Sequence, residues 1–132
     1  MSEREDSPYS EDWLRVARQD WHRIHVMLAD GDGDAAGLFL QQAIEKFLKA
    51  FLLEHGWKLK KVHTLQSLLD EAVAFKSTLA PFRPLCEKVS GFYFAERYPS
   101  LGGEELDAED VRRELDHARG LILALFPREV PE

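Results

Sequence analysis

One segment concentrates residues able to do chemistry. Phe92-Tyr93-Phe94-Ala95-Glu96-Arg97-Tyr98-Pro99 crowds aromatics, an acid-base pair and a proline into eight positions. An arginine such as Arg97 offers a planar fork for a phosphate or carboxylate, and Tyr98 offers a face for stacking a base. The same Arg97 can equally close a helix by bonding its last carbonyls. A second resource is the run from Lys46 to Lys61, with Lys46, Lys49, Lys58, Lys60 and Lys61 against Glu54. It reads as a solvated helix face or as a basic edge for an anionic ligand, with Lys46 and Lys49 the positions that could add potential near Arg97.

Metal and nucleophile chemistry find less support. His22 and His25 lie three apart, but zinc needs a further ligand from a facing helix. Glu114-Leu115-Asp116-His117 gives one Glu-x-x-His spacing, whereas a di-metal bundle needs two and two more glutamates. Asp30-Gly31-Asp32-Gly33-Asp34 is a turn rather than a calcium loop, since it lacks the twelve-residue ligand series and its closing Glu. Cys86 falls on an apolar stripe, which argues for a core thiol over a nucleophile. No phosphate-cradling glycine motif follows a strand. No metal or cofactor is expected.

The elements that must position these residues are helical. Leu14, Ala17, Trp21, Ile24 and Leu28 form one stripe after Ser10, the expected N-cap. A second helix, from about Ala35 to His55, buries Leu40, Ala43, Ile44, Phe47, Leu48 and Phe51. Its other side carries Gln41, Gln42, Glu45, Lys46 and Lys49, and Gly56 ends it. Thr64 is the expected cap of a short third helix bearing Leu65, Leu68, Leu69, Ala72 and Phe75. Ser77 to Pro84 reads as a break with two prolines. A fourth helix carries Cys86, Val89, Phe92 and Tyr93 and stops at Pro99. Asp107 caps a fifth, striped by Val111, Leu115, Ala118, Ile122 and Leu125. No segment alternates as a strand does. The expected fold is all-α, an antiparallel up-and-down four-helix bundle with a short additional helix. Residues 10–127 form the bundle, 1–9 a flexible tail and 128–132 a C-terminal tail.

Composition agrees. The 132 residues are 45% hydrophobic and 31% charged, enough for one core without staples. A net charge of -7 disfavours a protein that coats nucleic acid, so such contact would need a local patch. The single Cys86 fits a reducing compartment, the acidic N-terminus is unlike a secretory signal, and no apolar run could span a membrane. A cytoplasmic location is expected.

Four stretches together resemble the HEPN family of small helical bundles. They are Asp12-Trp13-Leu14-Arg15-Val16-Ala17-Arg18-Gln19-Asp20; Phe39-Leu40-Gln41-Gln42-Ala43-Ile44-Glu45-Lys46-Phe47-Leu48-Lys49-Ala50; His63-Thr64-Leu65 with Leu68-Leu69; and Arg97-Tyr98-Pro99 before a glycine loop. The similarity spans about residues 10–126. It implies a homodimer, often partnered with a minimal nucleotidyltransferase in toxin–antitoxin-like pairs. Some members are metal-independent ribonucleases carrying Arg, four to six residues, then His. Arg97 matches the Arg, but Gly102, Gly103 and Glu104 occupy the histidine positions.

The resemblance therefore favours a non-catalytic binding module, holding nucleotide or RNA through Arg97, Tyr98, Lys46 and Lys49. Alternatives are a degenerate ribonuclease using Arg97 with His63 or Glu104, and a helical scaffold without a ligand. Trp13, Val16, Leu38, Phe94 and Leu101 lie off the core stripes and are the expected dimer surface.

Overall fold

A computed structural model describes residues 7–60, 64–92 and 106–132. These fold as α1 (Ser10–Ala29), α2 (Gly33–Glu54), α3 (Leu65–Phe75), a 3-10 helix (Ser77–Phe82), α4 (Arg83–Ser90) and α5 (Ala108–Leu125). No strand occurs among the described residues. The fold is an all-α bundle in which α3 is the short additional helix.

Local chemistry explains most boundaries. The α1–α2 turn is tight because Gly31 takes φ 75°, where a side chain would be strained. Asp32 then caps α2 by accepting from the Ala35 N–H, and Asp34 accepts from the Leu106 N–H at 2.8 Å. Both carboxylates are thus engaged with backbone. Gly56, at φ 86°, ends the turn after α2. Thr64 caps α3 through the Ser67 N–H, and Asp107 caps α5 through the Glu109 N–H.

Four expectations need correction. Ser10 does not cap α1. Tyr9 holds that position without a side-chain bond, while the Ser10 hydroxyl donates to the Ala50 carbonyl of α2 at 2.7 Å. The Ser77–Pro84 stretch is not a break: Pro81 lies near the end of the 3-10 helix, and Pro84 falls in the first turn of α4, where its missing N–H has no helical partner to lose. Trp13 is not surplus surface. It is buried, its indole N–H donates to the Ser7 carbonyl at 2.7 Å, and this pins the chain from Ser7 onward. Finally, Gln41 and Lys49 do not face outward but are buried. Val16 and Leu38 are half-buried, while Phe94 and Leu101 lie outside the described residues.

The core is centred on α2, which packs against α1, α3, α4 and α5. Phe47 is buried mid-helix, edge-on to Trp21 and beside Phe126. At the opposite end α2 carries no side chain where α5 arrives. A Cβ on Gly33 would run into the Leu106 carbonyl oxygen, and one on Gly37 would lie 2.6 Å from the Leu106 side chain and 3.3 Å from Phe92. These two glycines seat Phe92 and Leu106, which flank residues 93–105, on one turn of α2.

Two substitutions test this packing. Phe47→Ala should cost about 3–5 kcal/mol of unfolding free energy through lost transfer and a residual cavity. Gly33→Ala should cost about 1–3 kcal/mol, because backbone rather than a pliable side chain must move. Denaturant titration measures both, and a loss below about 1 kcal/mol for Phe47→Ala would contradict the placement of this ring.

Candidate functional site

The described polar residues of interest lie between α1 and α2. The apolar stripe of α2 packs on α3, α4 and α5 and, through Phe47, on Trp21 of α1, while Gln41, Gln42, Glu45, Lys46 and Lys49 take the remaining side, from which Lys46 and Lys49 reach α1. The helices approach too closely there for water to solvate every group. The result is a continuous hydrogen-bonded chain. The Asp20 carboxylate, buried on α1, accepts from Arg23 at 2.6 Å and from Lys46 at 2.6 Å. Lys46 also donates to Gln42 at 3.1 Å, Gln42 to Gln41 at 2.6 Å, and Gln41 to Glu45 at 3.4 Å. Lys49 donates to Glu45 at 2.8 Å and places its ammonium 4.8 Å from the Trp13 ring centroid. Arg23 closes the other end over Phe39.

This arrangement redefines two of the sequence-derived positions. Lys46 is neutralised by Asp20 and Lys49 by Glu45, and the Lys49 side chain is only 5% exposed. Neither is a free cation, so a ligand reaching Lys46 must compete with a buried carboxylate. Asp20 closes the first of the four stretches singled out in the sequence, but no spacing marked it as a site residue. Its one hint was an acid on the buried side of α1, next to Trp21 and one turn before Ile24. The partners Arg97, Tyr98, Glu104 and His63 lie outside the described residues. What is fixed around the first three is the placement of Phe92 and Leu106, over Gly37 on the same helix that carries Lys46 and Lys49.

Elsewhere the ionisable groups serve structure. Buried Glu114 on α5 pairs with Lys88 of α4 at 3.5 Å and lies 3.1 Å from His117 Nδ1. Cys86 sits in the core, and burial pushes its thiol up to about 12. A thiol this hard to ionise is no nucleophile at neutral pH. Among the described residues no three of His, Cys, Asp and Glu converge as a metal site would require.

The family model of the HEPN domain matches residues 10–126 of this chain. The crystal structure of TT1696 from Thermus thermophilus superposes with a TM-score of 0.80 at 22% sequence identity, covering 91% of this chain and 98% of that one. At that identity the likeness speaks for the fold. A search of curated proteins finds none that matches.

Two outcomes follow from the site. Asp20→Asn should destabilise the protein by roughly 3 kcal/mol, since it strands Lys46 in a largely buried setting, whereas Asp20→Leu with Lys46→Met should be near neutral. Thermal melts of the three proteins decide it. Cys86 should resist thiol reagents at pH 8 in the native protein and react fully once unfolded. The folded thiol holds its proton where the unfolded one loses it, so its burial should lower stability as pH rises above the ordinary thiol range toward about 12.

Proposed function

The chain belongs to the HEPN domain family, and on that premise we propose that it is a binding module rather than a nuclease, working as a homodimer in the cytoplasm. Its ligand is a nucleotide or RNA held near Arg97 and Tyr98, and its protein partner is a minimal nucleotidyltransferase in a toxin–antitoxin-like pair. The observation that carries this reading is the match over residues 10–126 combined with Gly102, Gly103 and Glu104 in place of the ribonuclease histidine. Without an imidazole at that spacing from Arg97, the chain retains a group that binds phosphate and lacks the partner that would shuttle a proton.

The packing supports the same reading. The residues flanking the Arg97 segment sit on α2, whose polar side is a rigid, internally neutralised ladder. Such a support suits recognition, because it holds a docking surface in place. The single cysteine, buried and without a partner for a disulfide, is consistent with a reducing compartment. No described helix is long and apolar enough to cross a membrane.

Titration of wild type and Arg97→Lys with ATP, with a short RNA and with the nucleotidyltransferase tests the proposal. Arg97→Lys should keep the melting temperature and weaken binding by about ten-fold, because lysine cannot reproduce a bidentate contact. RNA should stay intact. Equal binding by both proteins would reduce Arg97 to a helix cap. Cleavage that disappears in Arg97→Ala would replace this reading by a ribonuclease using His63 or Glu104. Light scattering at micromolar concentration should give about twice 15.2 kDa, and a monomer mass would remove the dimer.

A further inference from the structure

The face of α1 opposite the polar ladder bears Arg18, Trp21, His22 and His25, at the spacing of a single stripe. Opposite it run α5 and residues 127–132. Both α1 and α5 pack on α2, and they hardly pack on each other. A seam therefore separates them. One part is an open groove of about 390 Å³ lined by His25 and Leu28 on one side and Arg112, Leu115 and Arg119 on the other. The other part is a space of about 140 Å³ between Trp21, Phe47 and residues 129–132, with Arg18 at its rim.

Two features indicate what the seam takes. First, it already holds a peptide carboxylate. Arg18 grips Glu129 with both arms of its fork, Nε donating at 3.2 Å and Nη2 to the second oxygen. Arg119 Nε donates to the Glu132 carbonyl at 2.7 Å, and His22 Nδ1 lies 3.8 Å from the Glu132 carboxylate. Second, the fit is incomplete. Among the described residues the buried side-chain nitrogens without a hydrogen-bond partner are Trp21 Nε1 and His25 Nε2, one on each part of the seam. An indole N–H can only donate, so the Trp21 wall calls for an acceptor such as a peptide carbonyl.

We propose that the α1–α5 seam is a docking groove for an extended acidic peptide segment of a partner protein, and that residues 128–132 are its resident, displaceable occupant. The resident is held at few points: Val130 is 91% exposed and anchors nothing, so its main ties are the Glu129 carboxylate on Arg18 and the Glu132 carbonyl on Arg119. A peptide seated deeper would place a carbonyl on Trp21 Nε1–H and a carboxylate on Arg18 or Arg119. Displacing the resident would free the Arg18 fork and the Arg119 Nε for an incoming carboxylate, while Arg112 stays paired with Glu109 and the Arg119 Nη1 with Asp116. This groove stands independently of the nucleotide reading.

The test uses the full chain and a fluorescent peptide, Pro-Arg-Glu-Val-Pro-Glu, which copies residues 127–132. Glu129→Gln with Glu132→Gln should release the resident segment and bind the peptide about ten-fold more tightly than wild type. Adding Arg18→Glu should abolish that gain. Millimolar peptide should shift the Trp21 indole N–H resonance of wild type, assigned with Trp21→Phe, so the result does not rest on the variants alone. Equal affinity of wild type and the double variant would overturn the proposal. So would an unshifted Trp21 resonance, or tighter binding of hexauridylate than of the peptide.

Discussion

Burial of a helix on nearly every side constrains this protein more than any other feature. A helix of 22 residues that packs against α1, α3, α4 and α5 has little surface left for polar side chains. Yet α2 carries two glutamines, a glutamate and two lysines in its middle turns. They are tolerated because Asp20 arrives from α1 at the height of Lys46, and Glu45 accepts from Lys49. Moving α1 along α2 by one turn would leave Asp20 and Lys46 buried and apart, at a cost far above that of a slipped apolar contact. The ladder therefore fixes the register of the α1–α2 pair. The other helices are placed on the apolar side that this register leaves free.

Rigidity on that side has a functional meaning. Phe92 and Leu106, the residues flanking the Arg97 segment, meet α2 where it is reduced to glycine, and the ladder occupies the next turns of the same helix. Under the proposed function, recognition and stability share one element. Lys46 belongs to the second role, because its ammonium is committed to a carboxylate before any ligand arrives. On the resemblance drawn from the sequence, Arg97 is followed by Gly102, Gly103 and Glu104 at the positions where a histidine would be expected.

Much of the fold was legible. Stripes such as Leu14–Ala17–Trp21–Ile24–Leu28 and Val111–Leu115–Ala118–Ile122–Leu125 recur at helical spacing, and every one of these residues packs in or against the core. Thr64, Asp107 and Gly56 marked element ends by mechanisms that act within a few residues. Legibility failed where an outcome depended on packing in three dimensions rather than on spacing along one helix. Lys49 looks like a surface residue until Glu45 and Trp13 enclose it. Trp13 looks like spare apolar surface until the Ser7 carbonyl meets its N–H. Ser10 has cap chemistry, but the Ala50 carbonyl, 40 residues away, claims its hydroxyl. The seam between α1 and α5 left no sequence signal, since a gap between helices has no residue pattern of its own.

The bond from the Leu106 N–H to Asp34 joins residues 72 apart. The acceptor stands in the first turn of α2 and the donor just ahead of α5, so the bond ties the start of one helix to the start of the other. The α1–α2 hairpin can form early, because its turn is short and its contacts are near in sequence. Its opening turn, by contrast, is braced only when the chain's last helix docks over Gly33 and Gly37. The N-terminal end of α2 thus depends on a contact of long sequence separation. The Leu106 amide should therefore exchange with solvent when α5 undocks, through a partial opening that leaves the Asp20–Lys46 ladder intact.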